Sequence, residues 1–249
     1  MDIPIYHQEP SDWSDLQNKV ARIFNDMGYI TEVEKDIELV RGSVTVDVFA
    51  SKQNLTSKEI HIAECKYWTS AVPKAVVHSV RTIVADFGAN VGYIISRNGF
   101  QKGAYEAITN SNILLMTFNE FQSEFRERWL DCVVHKLDSI AYPVRRYCDP
   151  LESFYKTEFD LLSDDQRDEF YRLGQKYNKI SMKSTRMNYR DMLTGKLELD
   201  YLDKVIADIA TSLSIQANCL MEYFEYLTAT CEKGLNEFDT LFGKKLRKW

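Results

Sequence analysis

The chain has 249 residues, of which 45% are hydrophobic, 27% charged and 12% aromatic, and its formal net charge is −6. This composition is typical of a globular protein and excludes a disordered chain. The negative charge excludes a surface that is basic throughout, so any nucleic-acid site has to be a local patch.

Several function classes are excluded by missing motifs. The longest apolar run, residues 113–116, is far shorter than the about 20 residues that span a bilayer, which predicts no membrane helix. The acidic start lacks the features of a secretory signal, and the five cysteines form no C-x-x-C pair, so we expect a cytoplasmic protein with reduced thiols. No zinc-ligand spacing and no phosphate-loop motif occurs, which argues against a zinc site and nucleotide hydrolysis.

The first half of the chain contains the predicted strands, because 15 of the 16 valines lie at or before Val144. Helical spacing predicts an opening helix that is capped by Asp12 or Ser14 and ends at Gly28. Strands at residues 30–40, 44–50 and 59–66 follow, and a second helix runs from Pro73 to Gly88. Residues 91–96, 100–108 and 113–118 predict a strand, a short helix and a strand.

The predicted order is therefore αβββαβαβ, an α/β fold, followed by a helix that begins at Asn119. Pro143 and Pro150 bracket a segment that we expect to interrupt this helix and act as a linker. We predict an α/β domain over residues 1–142 and an all-α domain over residues 150–249.

Three polar residues occupy strand positions where apolar residues are expected: Asp47, Glu64 and Lys66. Alternation along a strand puts Glu64 and Lys66 on one face and Cys65 on the other. If the strands that contain Asp47 and Glu64 form a hairpin, two carboxylates and one lysine converge. Two carboxylates predict a Mg²⁺ site, and the lysine can orient or deprotonate an attacking water. The alternative is a buried ion-pair cluster that only shapes the sheet.

Residues 16–121 resemble the catalytic domain of Mrr-type restriction endonucleases, a branch of the PD-(D/E)xK nuclease superfamily. The resemblance rests on the helix LQNKVARIFNDMGY, the strand RGSVTVDVFA, the segment AECKYW and the later stretch VGYIISRNGFQKGAYEAI. It implies a restriction-endonuclease-like fold and hydrolysis of DNA with Mg²⁺, for which Mn²⁺ can substitute. Bacterial defence against foreign DNA is the implied role.

The resemblance also implies roles for individual residues. Asp47 and Glu64 match the family's metal-binding acids, and Lys66 matches its catalytic lysine. Gln17 stands where the opening helix usually carries a glutamate that faces the metal. This departure removes one formal charge from the predicted site and leaves two carboxylates.

Other basic and polar residues are weaker candidates for nucleic-acid binding. Gln101 and Lys102 begin the short helix, where backbone amides and a cation can meet a phosphate, or where the helix start is simply solvated. Six cations recur at helical spacing and form what we call the basic stripe: Arg172, Lys176, Lys179, Lys183, Arg186 and Arg190. The basic stripe predicts contact with a phosphate backbone, or it is a solvated helix face.

The end of the chain carries a heptad seam on a predicted helix of about 30 residues, with Leu199, Ile206, Leu213, Leu220 and Leu227 at seven-residue intervals. The seam predicts a dimer contact, docking of a protein partner, or packing inside an intramolecular bundle. We therefore expect a Mg²⁺-dependent endonuclease that acts on DNA as a homodimer or higher oligomer. The alternatives are a catalytically weak binding subunit and an interaction subunit that acts only in a larger assembly.

Overall fold

The computed structural model describes residues 3–40, 42–149, 151–187, 190 and 193–246. The chain divides into two compact units. The first, which we call the sheet unit, is Tyr6–Trp129, and the second, the helical unit, comprises Met1–Ile5 and Leu130–Trp249 as far as they are described. None of the helices in the described part of the chain is long and apolar enough to cross a membrane.

The sheet unit confirms the predicted α/β order. Its elements are α1 Trp13–Asp26, β1 Ile30–Leu39, β2 Gly42–Gln53, β3 Lys58–Lys66, α2 Lys74–Phe87, β4 Val91–Ser96, α3 Lys102–Ala107 and β5 Ile113–Thr117. Asp12 caps α1 by accepting a hydrogen bond from the Asp15 backbone N–H. Gly88 ends α2 with a φ of 75°, a left-handed conformation that glycine adopts without strain.

The five strands form one sheet in the order β1-β2-β3-β4-β5. The first three strands are antiparallel, which confirms the predicted hairpin between β2 and β3, whereas β4 and β5 run parallel to β3. Because α2 and α3 each connect two parallel strands, the carboxyl ends of β3, β4 and β5 share one edge of the sheet. Glu64 and Lys66 lie at that edge.

Both faces of the sheet are covered by apolar side chains. On one face, Val46, Phe49 and Ile62 belong to a buried cluster with Val80 and Val84 of α2. On the opposite face, the rings of Phe24, Tyr93 and Phe121 lie with centroids 5.5–5.9 Å apart. The sheet is therefore rigid below its carboxyl edge, where the polar residues begin.

The helical unit corrects the predicted linker. Helix α4 spans Phe118–Cys148 and contains Pro143, so the segment that follows Pro143 is helical. Ala141, Val144 and Tyr147 are buried on both sides of the proline, and this burial compensates for the lost backbone hydrogen bond. Pro150 lies outside the described residues. The division into compact units falls inside α4, and the predicted domain limits at 142 and 150 stay a prediction.

The predicted 30-residue helix is also corrected. The unit continues with α5 Lys156–Asp160, α6 Asp164–Ser184, a 3-10 turn at Thr185–Met187, α7 Leu199–Leu213 and α8 Leu220–Phe242. The break between α7 and α8 begins at Ser214, whose φ is 53°. The Leu220 and Met221 N–H groups donate to the carbonyls of Pro4 and Ile5. The N-terminal segment therefore supplies acceptors for backbone N–H groups in the first turn of α8, which have no acceptor within the helix.

The seam residues take part in packing within the helical unit. Leu202, Ile206 and Ile209 are buried in α7, and Leu220 and Leu227 are buried in α8. Both helices contact α6. This arrangement agrees with the intramolecular bundle, and association through the same helices stays a prediction.

Candidate active site

Asp47 lies where β2 and β3 stop pairing through their backbones. The regular register ends at the pair Val48–Ala63. The next backbone donor, the Cys65 N–H, donates instead to Oδ2 of Asp47 over 2.7 Å. The Asp47 carboxylate therefore takes the place of a main-chain acceptor and is held between the two strands.

The neighbouring strand is irregular at the same level. Glu34 of β1 lies between the residues that pair with Val46 and Val48, opposite Asp47. Its φ is 53°, an uncommon conformation for a residue with a side chain. Such local strain is frequent at functional sites.

Glu64 and Lys66 form an ion pair on one face of β3. The Lys66 ammonium donates to Oε1 of Glu64, and the two side chains are only 17% and 19% exposed, respectively. Cys65, between them in sequence, is buried on the other face, and burial raises the pKa of its thiol well above the usual range. The thiol is therefore neutral and takes no part as a nucleophile.

The two carboxylates influence each other electrostatically. The pKa of Glu64 is raised above its ordinary value of 4.5, mainly by burial and further by the negative charge of Asp47, while Lys66 opposes the shift. Repulsion between two carboxylates at the edge of a packed sheet costs stability, and a bound cation removes that repulsion. The site is thus arranged for a positively charged ligand.

Gln17 is buried in α1, with 1% of its surface exposed. Helix α1 contacts β1, β2 and β3. Among the described residues, the Gln17 Nε2 atom has no hydrogen-bond partner, and such buried amides are uncommon. The interactions described for Asp47, Glu64 and Lys66 do not include Gln17, so its predicted approach to the metal stays a prediction.

Three residues beside Lys66 were not singled out from the sequence. The Lys66 Nζ lies 5.4 Å from the ring centroid of Trp68, which is 41% exposed. The Arg97 guanidinium lies 4.5 Å from the ring centroid of Tyr67, and its backbone N–H donates to the Lys66 carbonyl. In the sequence, an aromatic pair directly after the lysine and an arginine directly after β4 are the features that could have indicated these three residues.

The predicted residues Gln101 and Lys102 begin α3. The loop before them is tied to the loop that follows Lys66, because the Gln101 N–H donates to Val72 and the Val72 N–H donates to Gly99. Both side chains are exposed. They therefore lie beyond the carboxyl ends of β3 and β4, and phosphate binding there stays a prediction.

The basic stripe is largely neutralised by acidic partners within the helical unit. Four of its six cations form ion pairs: Arg172 with Glu169, Lys176 with Glu237, Lys183 with Asp208, and Arg190 with Asp131. Lys179 donates to the Ser212 carbonyl, and Arg186 is exposed. Because α6 ends at Ser184, the six residues do not share one helix.

The acids present suit Mg²⁺ better than a transition metal. In the described part of the chain, no group of three or more His, Cys, Asp or Glu residues is placed to hold a metal ion. Mg²⁺ binds through one or two carboxylates and keeps several waters, so the pair Asp47 and Glu64 fits this requirement.

Comparison with known proteins agrees with this geometry. The five-stranded sheet with its flanking helices, followed by a helical region, is a restriction-endonuclease-like fold. Residues 9–125 match the family model of the Mrr catalytic domain, which is described as a restriction endonuclease. This match confirms the resemblance, and it contains Gln17, Asp47, Glu64 and Lys66. The matched part of the chain is therefore similar to a nuclease domain of the restriction-endonuclease type.

The other comparisons add little. A search of curated proteins finds no significant match. A solved structure, the crystal structure of a protein of unknown function, is similar over 82% of this chain and 100% of its own, with 15% identity and a TM-score of 0.40. At that similarity it does not bear on the function.

Proposed function

We propose that the protein is a Mg²⁺-dependent endonuclease that hydrolyses phosphodiester bonds in DNA. The observation that carries the proposal is the convergence of Asp47, Glu64 and Lys66 from two adjacent strands. Asp47 accepts the Cys65 N–H, and Lys66 pairs with Glu64 at the same edge of the sheet. A purely structural ion-pair cluster does not account for an uncompensated second carboxylate in a partly buried position.

Each residue has a role that follows from its chemistry. Asp47 and Glu64 would hold Mg²⁺ or Mn²⁺, which would supply positive charge to the scissile phosphate and its attacking water. The Lys66 ammonium, oriented by Glu64, would donate a hydrogen bond to that water or to a phosphate oxygen. The water oxygen would form a bond to phosphorus while the bond from phosphorus to one sugar oxygen breaks; the attacking water would lose a proton to solvent, and the leaving sugar oxygen would take one up from solvent.

The residues around Lys66 suit a nucleic-acid strand. Trp68 presents an exposed aromatic surface, and Arg97 adds a fixed cation on the neighbouring strand end. Aromatic side chains and arginines are the groups that contact bases and phosphates in nuclease channels. We therefore include these two residues in the proposed DNA-binding surface.

The test is a plasmid-nicking assay with Mg²⁺, with Mn²⁺ and with EDTA, comparing the wild type with Lys66→Ala. Lys58→Ala is the matched control, since Lys58 is an exposed lysine at the opposite end of β3. We expect nicking that requires the metal, is lost in Lys66→Ala and is retained in Lys58→Ala. DNA binding without nicking by the wild type would favour the catalytically weak binding subunit instead, for which the neutral Gln17 is the motivating observation.

We extend the proposal to the biological setting that the family suggests, cleavage of foreign DNA in bacterial defence. A single active site cuts one strand at a time, and two-fold association is the commonest way to cut both strands. The mass of the protein in solution, alone and with DNA, tests this part. A monomer under both conditions that still cuts both strands would contradict it.

A further inference from the structure

The helical unit contains a cavity of about 300 Å³ that the proposed nuclease site does not use. Tyr147 of α4, Tyr155 before α5, and Phe170 and Tyr171 of α6 contribute four aromatic rings to its lining. Gln175 and Asn178, one helical turn further along α6, contribute two amide side chains. The volume lies at the lower end of the range of about 300–1,000 Å³ for ligand pockets.

A glycine in α6 keeps this cavity open. Gly174 lines the cavity, and a Cβ atom built on it would meet no atom within 4 Å. Neither packing nor a positive φ therefore explains a glycine in the middle of this helix, where glycine weakens the structure. Gly234 of α8 is different, because a Cβ there would lie 3.1 Å from the Tyr177 ring. Packing accounts for Gly234, whereas Gly174 leaves open space that a ligand can occupy.

The lining has the chemistry of a site for a neutral planar ring. The residues described as lining the cavity are aromatic, amide, glycine and one cysteine, Cys148, and burial raises the pKa of that thiol to about 12. They carry no charge at neutral pH and so offer no counter-ion to a phosphate or an ammonium group. The amides of Gln175 and Asn178 each offer both donors and acceptors to the polar edge of a ring.

The larger cavity of the same unit, about 660 Å³, has the opposite character. It is lined by Glu169, Glu232 and Glu237 with one lysine, Lys233. Glu169 and Glu237 pair with Arg172 and Lys176, so charged ion pairs line this cavity, whereas the smaller cavity has an uncharged lining. The comparison selects the smaller, aromatic cavity as the one suited to a heteroaromatic ligand.

We propose that this aromatic cavity binds a nucleobase. The base would stack against Tyr171, since the other three rings are buried against one another, and the amides of α6 would bond its polar edge, as aromatic and amide groups do for unpaired bases. Tyr171, which is 58% exposed, would stand at the entrance. The chemistry of the cavity does not depend on the nuclease site. The proposal rests on the proposed function in one respect only: it takes DNA to be the source of the base. A free nucleotide offers the same ring.

The test uses 2-aminopurine, a fluorescent base that is quenched when it stacks. Two probes separate the sources: a single-stranded 12-mer with one central 2-aminopurine, and 2-aminopurine nucleoside monophosphate, both in EDTA so that no cleavage occurs. Gly174→Leu fills the cavity, and Gly174→Ala is the matched control, since one methyl group enters open space. We expect quenching by the wild type and by Gly174→Ala, and affinity at least about tenfold weaker for Gly174→Leu.

The result also identifies the source. Quenching of the oligonucleotide alone assigns the cavity to a base within DNA, and quenching of the monophosphate assigns it to a free nucleotide. Equal affinity of wild type and folded Gly174→Leu overturns the proposal, as does absence of quenching with both probes. If circular dichroism shows Gly174→Leu to be unfolded, Tyr171→Ala replaces it with the same expectation. Plasmid nicking by each variant is measured separately, so that loss of the nuclease site is distinguished from loss of the cavity.

Discussion

The sheet unit and the helical unit differ in how their charged residues are paired. In the sheet unit, Lys66 pairs with Glu64 beside a second partly buried carboxylate, Asp47, and the pKa of Glu64 is raised by burial and by the charge of Asp47. In the helical unit, exposed cations such as Arg172 and Lys176 each have an acidic partner. We therefore take closely placed charges in a packed environment, rather than the number of charges, as the feature that distinguishes the proposed site.

Removing a charge from the uncompensated cluster should have the largest effect. We expect Asp47→Ala, Glu64→Ala and Lys66→Ala each to lower the cleavage rate at least about 10²-fold, or about 2.7 kcal/mol of transition-state stabilisation. Lys176→Ala, which breaks an exposed ion pair in the helical unit, should leave the rate within about twofold, because such pairs contribute only about 0–1 kcal/mol. Wild-type cleavage by Asp47→Ala would remove Asp47 from the site.

A second prediction concerns an added carboxylate at position 17, near the opening helix's predicted approach to the metal. If Gln17 faces the metal, Gln17→Glu adds a third carboxylate and should lower the Mg²⁺ concentration needed for half-maximal cleavage. It can also alter the preference between Mg²⁺ and Mn²⁺. The measurement is a metal titration of nicking beside that of Asn18→Glu, whose side chain lies next along α1 and is exposed. Identical titrations of wild type and Gln17→Glu would mean that α1 does not reach the metal.

Substitutions in the basic stripe test whether the paired cations of the helical unit contribute to DNA binding. Each phosphate contact contributes about 0.9 to the log-log salt slope of DNA binding, so three contacts would contribute about 2.7. Because Lys176, Lys183 and Arg190 are all paired with acids, we expect charge reversal at the three positions to change the slope by less than about 0.9. Filter binding at several salt concentrations measures it. A change in the salt slope near about 2.7 would mean that the basic stripe is a DNA-binding surface.

The smallest effect concerns stability in the absence of metal. Glu64 has a raised pKa in the folded state, so its charged form costs stability, and this cost appears as pH rises through the folded pKa. Glu64→Gln should therefore be more stable than the wild type at pH 8 in EDTA, and the difference should disappear well below the ordinary value of 4.5. Urea unfolding at each pH measures it.

Glu169 of the helical unit is the matched control for this prediction. Its pKa is lowered, first by the hydrogen bond from Arg172, so its charged form is favoured in the folded state. Any stability that it contributes is present above its unfolded pKa and is lost as pH falls. Glu169→Gln should thus show no gain in stability at pH 8, and a gain equal to that of Glu64→Gln would contradict the assignment of repulsion to the site.

Local patterns determined most of the sheet unit. Alternating apolar residues and well-placed caps predict the order αβββαβαβ, because short strands and their turns depend on neighbouring residues. The polar residues Asp47, Glu64 and Lys66 stand out in the sequence because they interrupt apolar strands. Two contacts depend on strand pairing and are evident only in the tertiary structure. The Asp47 carboxylate replaces a backbone acceptor for the Cys65 N–H, and Arg97 lies beside Tyr67.

The helical unit depended more on tertiary contacts. Pro143 predicts the end of a helix, yet burial of the residues around it keeps α4 continuous. The heptad seam predicts one long helix, yet carbonyl groups of Pro4 and Ile5, more than 200 positions away in the chain, bond the first turn of a separate α8. The basic stripe is evident in the sequence, but its acidic partners come from other elements. Sequence by itself determined the local elements and the unusual charges; packing between distant segments decided where helices break and which charges are neutralised, because those energies exceed local propensities.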